Sequence, residues 1–188
     1  MKLAVLVSGS GTNLQCIIDA IKSQKLKNIE ISSVIADRDC FALERAKNEG
    51  IKTYLFKRNS QLSNKIDQAI GTSVDLLVLA GFLSILSDEF TQKWNNKIIN
   101  IHPSLLPKFG GKGMYGERVH KAVLEAKETK SGATVHFVTH EIDEGEIIAQ
   151  QSFPVEPTDT VKDLQEKVRE IEHTILLEAI EKIQQRTK

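Results

Sequence analysis

The sequence predicts an α/β protein built on a doubly wound, mostly parallel sheet. Three observations lead there. Short apolar runs alternate with helical patterns from the first residues onward, the run at 76–80 is apolar throughout, and the last two strand-like segments have no helix between them. Alternation of this kind gives parallel strands joined by crossover helices. A continuously apolar strand is one covered on both faces, and a direct strand-to-strand connection implies an antiparallel pair.

Residues 3–7 read as a buried strand and 13–22 as a helix with Leu14, Ile17, Ile18 and Ile21 on one face. A second strand follows at 29–36, then a helix at 43–48 stopped by Gly50. Residues 53–56 form a brief strand, 62–70 a polar helix, 75–80 the central strand, and 98–101 a strand that enters a loop at Pro103. The final strands are 133–138 and 147–153, around an acidic turn. In the tail, Val161, Leu164, Val168, Ile171 and Ile175 step by three and four, which predicts a long closing helix over 160–183.

At 188 residues, with no repeat or interior linker, the chain is expected to form a single domain over 1–188. Its 25 Lys and Arg balance 25 Asp and Glu. Such a chain lacks the long-range attraction that draws proteins to nucleic-acid backbones, though a local phosphate pocket is compatible with neutrality. Cys16 and Cys40 have no metal-type spacing and make no disulfide framework. The opening apolar run is too short for a signal peptide, and no stretch reaches the length of a membrane span. A cytoplasmic protein without nucleic-acid or membrane partners is expected.

After the first strand comes Ser8-Gly9-Ser10-Gly11-Thr12-Asn13-Leu14, leading directly into a helix. Glycines let the backbone turn tightly, so that N–H groups and a helix N-terminus can face one anion, and Thr12 or Asn13 can cap the helix. A dinucleotide site fits less well. Gly9 and Gly11 match its first two glycines and Asp37 ends the second strand, but Leu14 occupies the third glycine position. A monophosphate cradle fits the loop best.

In Asn100-Ile101-His102-Pro103-Ser104-Leu105-Leu106-Pro107, strand alternation points Asn100 and His102 to the same side, roughly 6–7 Å apart. An amide donating to an oxyanion and an imidazole moving protons suit attack of an amine on a formyl carbon. A third group is needed to charge the imidazole. Within the acidic turn, Asp143 lies two residues before Gly145 at the tight point, and a carboxylate there would raise the pKa of His102. Glu141, Glu144 and Glu146 read as solvated surface, and His120, His136 and His140 as histidines that satisfy local backbone.

These segments, with Ala80-Gly81-Phe82-Leu83-Ser84-Ile85-Leu86-Ser87, Val135-His136-Phe137-Val138 and Asp143-Glu144-Gly145, resemble glycinamide ribonucleotide formyltransferase, the folate-dependent enzyme of purine synthesis. They span nearly the whole chain in that family's order. The resemblance implies direct transfer of the formyl group of 10-formyltetrahydrofolate to the amino group of glycinamide ribonucleotide. The products would be formylglycinamide ribonucleotide and tetrahydrofolate, and no metal is implied.

The resemblance makes Asn100, His102 and Asp143 the catalytic trio and gives the ribonucleotide phosphate to Gly11, Thr12 and Asn13. Glu172 becomes a ribose contact. Folate falls to Leu83, Ser84, Ile85 and Leu86, largely through backbone, to Asn100, and to the turn residues His140, Glu141, Ile142, Asp143 and Glu144, with Arg58 against its tail. Some relatives carry an arginine where this chain has Ser84. The glycine-rich loop 108–116 reads equally as a lid over the ribonucleotide or a surface connection. Monomer and homodimer both remain open. Formyltransferases acting on methionyl-tRNA share the Asn-x-His pattern but differ in the first loop and carry an RNA-binding domain. Formyltetrahydrofolate hydrolases keep the trio and add a regulatory domain.

Overall fold

The computed structural model describes residues 1–186, which divide into two compact units at the Asn100–Ile101 bond. In the first unit β1 (Lys2–Val7), β2 (Glu30–Ala36), β3 (Thr53–Leu55) and β4 (Leu76–Leu79) alternate with α1 (Thr12–Lys22), α2 (Phe41–Asn48) and α3 (Leu62–Ile70). A short α4 (Asp88–Lys93) then leads to β5 (Ile98–His102). Every strand pair here is parallel, with Val5 opposite both Val34 and Val78, Ile35 opposite Tyr54, and Val78 opposite Ile99. Because β1 lies between β2 and β4, the winding reverses at β1, and the carboxyl ends of β1 and β4 form the switch point where such sheets take ligands. Leu3 to Val7 are fully buried and Leu76 to Val78 nearly so, as strands covered on both faces must be.

The last two residues of β5 open the second unit, which continues with α5 (Glu117–Glu125), β6 (Lys130–Phe137), β7 (Ile147–Pro154) and α6 (Val161–Arg186). β6 and β7 pair antiparallel, with Ala133 opposite Gln151. The order β3-β2-β1-β4-β5-β6-β7 is therefore the mostly parallel sheet with an antiparallel final pair that the sequence predicts. α6 packs on β6, β7 and α5 through Leu164, Val168, Ile171 and Ile175, together with residues of its C-terminal half such as Leu176 and Ile180. Its start is capped reciprocally: Thr160 Oγ1 donates to Asp163 Oδ2 at 2.6 Å and accepts from the Asp163 N–H at 3.3 Å.

Two helices depart from the sequence reading. α4 has six residues, and its main local sign is the Ser87 cap, whose hydroxyl accepts from the Phe90 N–H. α5 follows the glycine-rich loop and carries a short apolar face, Val119 and Val123 beside His120, that the sequence reading does not include. The expected cap of α1 also differs. Neither Thr12 nor Asn13 caps it, because the chain enters through Gly11 in the left-handed region (φ 74°), with no side-chain cap.

His120 is 3% exposed and its Nδ1 has no hydrogen-bond partner. Burial, only partly opposed by Glu117, pushes its pKa down to about 4. Between pH 6.5 and about 4 the unfolded chain binds a proton there that the folded chain refuses. Stability contributed by this group is thus complete above pH 6.5 and is lost as pH falls, by up to ~1.4 kcal/mol per pH unit. The urea midpoint of His120→Leu should fall less between pH 7 and 5 than that of the parent. Parallel decline of both proteins would refute the assignment.

Candidate active site

In the first unit the candidate site starts where β1 stops. Gly11 has a backbone conformation that side chains avoid, and a Cβ there would lie 2.6 Å from Ala42 Cβ, so the loop sits against α2 only because residue 11 is glycine. From α2, the Ala42 N–H donates to Gly9 O at 3.1 Å and Arg45 Nε donates to Ser10 O at 2.8 Å. The Arg45 guanidinium also reaches Gln15 Oε1 and stacks over the Phe41 ring. With those two carbonyls held by α2, the first amides of α1 are left as the loop's donors, at the positive end of the helix dipole. This arrangement can hold a monophosphate at residues 11–13.

At the other side of the switch point, the Ser8 N–H donates to Gly81 O at 3.1 Å and the Leu83 N–H donates to Ser8 Oγ at 2.8 Å. Of the four residues assigned to folate in this loop, Leu83 and Ile85 are 41% and 60% exposed, whereas Ser84 and Leu86 are buried. Ser84 Oγ donates to Asp37 Oδ2 at 2.6 Å. Arg58 is exposed in the bend after β3, and Asn100 is half-buried on β5, in register with Leu79.

The second unit holds the imidazole and its carboxylate. His102 closes β5, is 4% exposed, and has Nε2 2.9 Å from Phe109 O and Nδ1 3.5 Å from Asp143 Oδ2. Asp143 sits at φ 61° in the turn between β6 and β7 and accepts the Gly111 N–H at 2.9 Å through Oδ2. Loop 108–116 is therefore fastened at its first half to both members of this pair. The segment before it is anchored to β6, since Thr134 Oγ1 donates to Ser104 O and accepts from the Leu106 N–H.

His136, which the sequence reading assigns to local backbone, does touch the Phe137 carbonyl through Nδ1 at 2.8 Å. Its Nε2 also lies 3.5 Å from Asp143 Oδ1, so the carboxylate stands between two buried imidazoles. The available signal was position, seven residues before Asp143 across one hairpin turn. His140, Glu141, Ile142 and Glu144 are exposed on that turn, and Glu172 is half-buried on α6.

The expected direction of the His102 shift is corrected by the structure. Burial lowers its pKa and outweighs the upward pull of Asp143 and the Phe109 carbonyl, so His102 rests neutral at pH 7. For Asp143, burial would raise the pKa, but the His136 hydrogen bond, the attraction to His102 whenever that ring is protonated, and the Gly111 N–H hold it below the ordinary range. The neutral imidazole can donate to only one of these two acceptors, and on taking a proton it can donate to both, so its cation finds its partners in place. Among the described residues no group of three or more His, Cys, Asp or Glu is placed to hold a metal, and no helix is long and apolar enough to cross a membrane.

A buried imidazole at the end of β5 set against a carboxylate is the equipment for proton transfer that group-transfer and hydrolytic enzymes use. The chain belongs to the formyl transferase family, which matches residues 1–180. It is 42% identical over 181 residues to the phosphoribosylglycinamide formyltransferase of Haemophilus influenzae, covering 93% of this chain and 82% of that protein. It is 41% identical over 187 residues to the human trifunctional purine biosynthetic protein adenosine-3, covering 96% of this chain but 18% of that longer protein. The crystal structure of phosphoribosylglycinamide formyltransferase from Anaplasma phagocytophilum is similar with a TM-score of 0.90 at 34% identity, over 99% of this chain and 88% of that one.

Asp143→Asn removes the carboxylate that pulls His102 upward, while burial remains. The imidazole pKa, followed by NMR titration, should therefore fall below its parent value. An unchanged or higher value would show that Asp143 does not act on the ring.

Proposed function

We infer that this chain is a phosphoribosylglycinamide formyltransferase. It moves the formyl group of 10-formyltetrahydrofolate to the amino group of glycinamide ribonucleotide, giving formylglycinamide ribonucleotide and tetrahydrofolate in de novo purine biosynthesis. The observation that carries the chemistry is the buried neutral imidazole of His102, set 3.5 Å from the Asp143 carboxylate. Cys16 and Cys40, neither of them in a disulfide, suit a cytoplasmic setting.

The amine nitrogen attacks the formyl carbon, forming a carbon–nitrogen bond and placing negative charge on the formyl oxygen. Asn100 donates to that oxyanion. His102 accepts the proton that the amine must lose, and Asp143 stabilises the imidazolium. The same proton goes to N10 of the folate as the bond from N10 to carbon breaks, so no charge is left on either product. Gly11, Thr12 and Asn13 hold the ribonucleotide phosphate and Glu172 its ribose. Leu83, Ser84, Ile85 and Leu86, Asn100, and residues 140–144 receive the folate, with Arg58 toward its tail. The exposed apolar side chains of Leu83 and Ile85 support that assignment, while buried Ser84 and Leu86 offer backbone alone.

Purified protein mixed with both substrates should release tetrahydrofolate, read by absorbance, only when glycinamide ribonucleotide is present. His102→Ala should lower kcat by about 10²–10⁴-fold, and Asn100→Ala by about 10²–10³-fold. Equal folate release without the amine would replace transfer by hydrolysis, and full turnover by His102→Ala would remove the imidazole from the reaction.

A further inference from the structure

Asp37 follows β2 directly and is 3% exposed, and no step of the transfer uses it. A carboxylate that deep is costly unless donors meet its oxygens. Here they do. Arg38 Nε donates to Oδ1 and Arg38 Nη2 to Oδ2, both at 2.9 Å, and Ser84 Oγ donates to Oδ2 at 2.6 Å. The Ser8 side chain also favours the ionised carboxylate, and its hydroxyl accepts the Leu83 N–H at 2.8 Å while its own N–H donates to Gly81 O at 3.1 Å. The result is one cluster in which Ser84 binds Asp37 directly and Ser8 ties the glycine loop to the residues on either side of Phe82. Burial alone would push the Asp37 carboxyl up, but these hydrogen bonds and the Arg38 charge hold it below the usual range, so it stays ionised at neutral pH.

The elements joined matter more than the bond count. Ser8 begins the glycine loop that leads to Gly11, Thr12 and Asn13, and Leu83 and Ser84 lie in the loop that carries exposed Leu83 and Ile85. A site of this depth could be filled by apolar side chains at less cost. What a carboxylate adds is demand for direction, because each donor has to arrive at a set angle and distance.

We propose that Asp37 is a positioning residue that holds the glycine loop and loop 81–87 in one fixed relation, so that the ribonucleotide and folate sites are bound interdependently. The proposal rests on the transferase assignment above. Binding of either substrate to its loop then orders the other loop through Ser8 and Ser84. Removing a donor from the hub loosens both sites while leaving the His102–Asp143 pair, which lies elsewhere in the chain, chemically intact.

The test is steady-state kinetics of the full chain with both substrates varied, on Asp37→Asn, Ser8→Ala and Ser8→Thr. Losing a hydrogen bond of this network should raise both KM values by roughly 10-fold, with kcat at saturation within about 3-fold of the parent. Ser8→Thr keeps the hydroxyl that accepts the Leu83 N–H and should return both KM values to within about 2-fold. In Ser8→Ala the folate KM should also stop depending on ribonucleotide concentration. A residue that only stabilised the fold would lower the active fraction, and hence kcat, without moving KM. If Asp37→Asn does not fold, Ser8→Ala, which removes one oxygen, decides alone. Unchanged KM values in Ser8→Ala, or a change in one substrate only, would overturn the coupling while leaving the transferase assignment standing. An inactive parent protein would overturn both.

Discussion

The Asp143 carboxylate lies 3.5 Å from each of two buried imidazoles while accepting the Gly111 amide, and the chemistry of the second unit is arranged around that shared acceptor. Carboxylates in such surroundings must be satisfied or neutralised. This one stays ionised because His136, His102 and Gly111 all lower its pKa against the effect of burial. Its turn needs a left-handed residue at 143 and a glycine at 145, where a Cβ would press into the Phe137 carbonyl. Turn geometry, strand β6 and loop 108–111 are thus constrained together by one charge.

The first unit solves a related problem at the switch point. Its glycine loop has no basic residue of its own, and the charge behind it comes from Arg45 on the Ser10 carbonyl, with the α1 dipole in front. Asp37 does comparable work between β1, β2 and the segment after β4. In both units a charged side chain sets backbone direction, and the backbone presents the donors.

Much of the fold was legible because apolar runs and helical stripes report burial directly. The continuous run at 76–80 does become a fully covered strand, and the missing helix before residue 147 does give an antiparallel pair. The short helix α4 was not legible, since six residues with one cap give almost no period, whereas α5 does carry a short apolar face at Val119 and Val123. At the site, position within the turn singled out Asp143 from three acidic neighbours, and the structure puts it beside His102. The direction of the His102 shift was not accessible, because it depends on depth of burial, which spacing does not encode. Nor was the bond between Ser84 and Asp37, 47 residues apart and of chemically ordinary types. Asp37 did stand out as the acid at the end of a second strand, but the family of sites that usually explains such an acid is a dinucleotide one, and here it serves the protein's own loops.

Residues 109 to 111 meet the His–Asp pair twice within three positions, Phe109 through its carbonyl and Gly111 through its amide. One short tether therefore governs two partners. The loop backbone supplies an acceptor to the imidazole and a donor to the carboxylate, so the course of this segment and the orientation of the pair are set together.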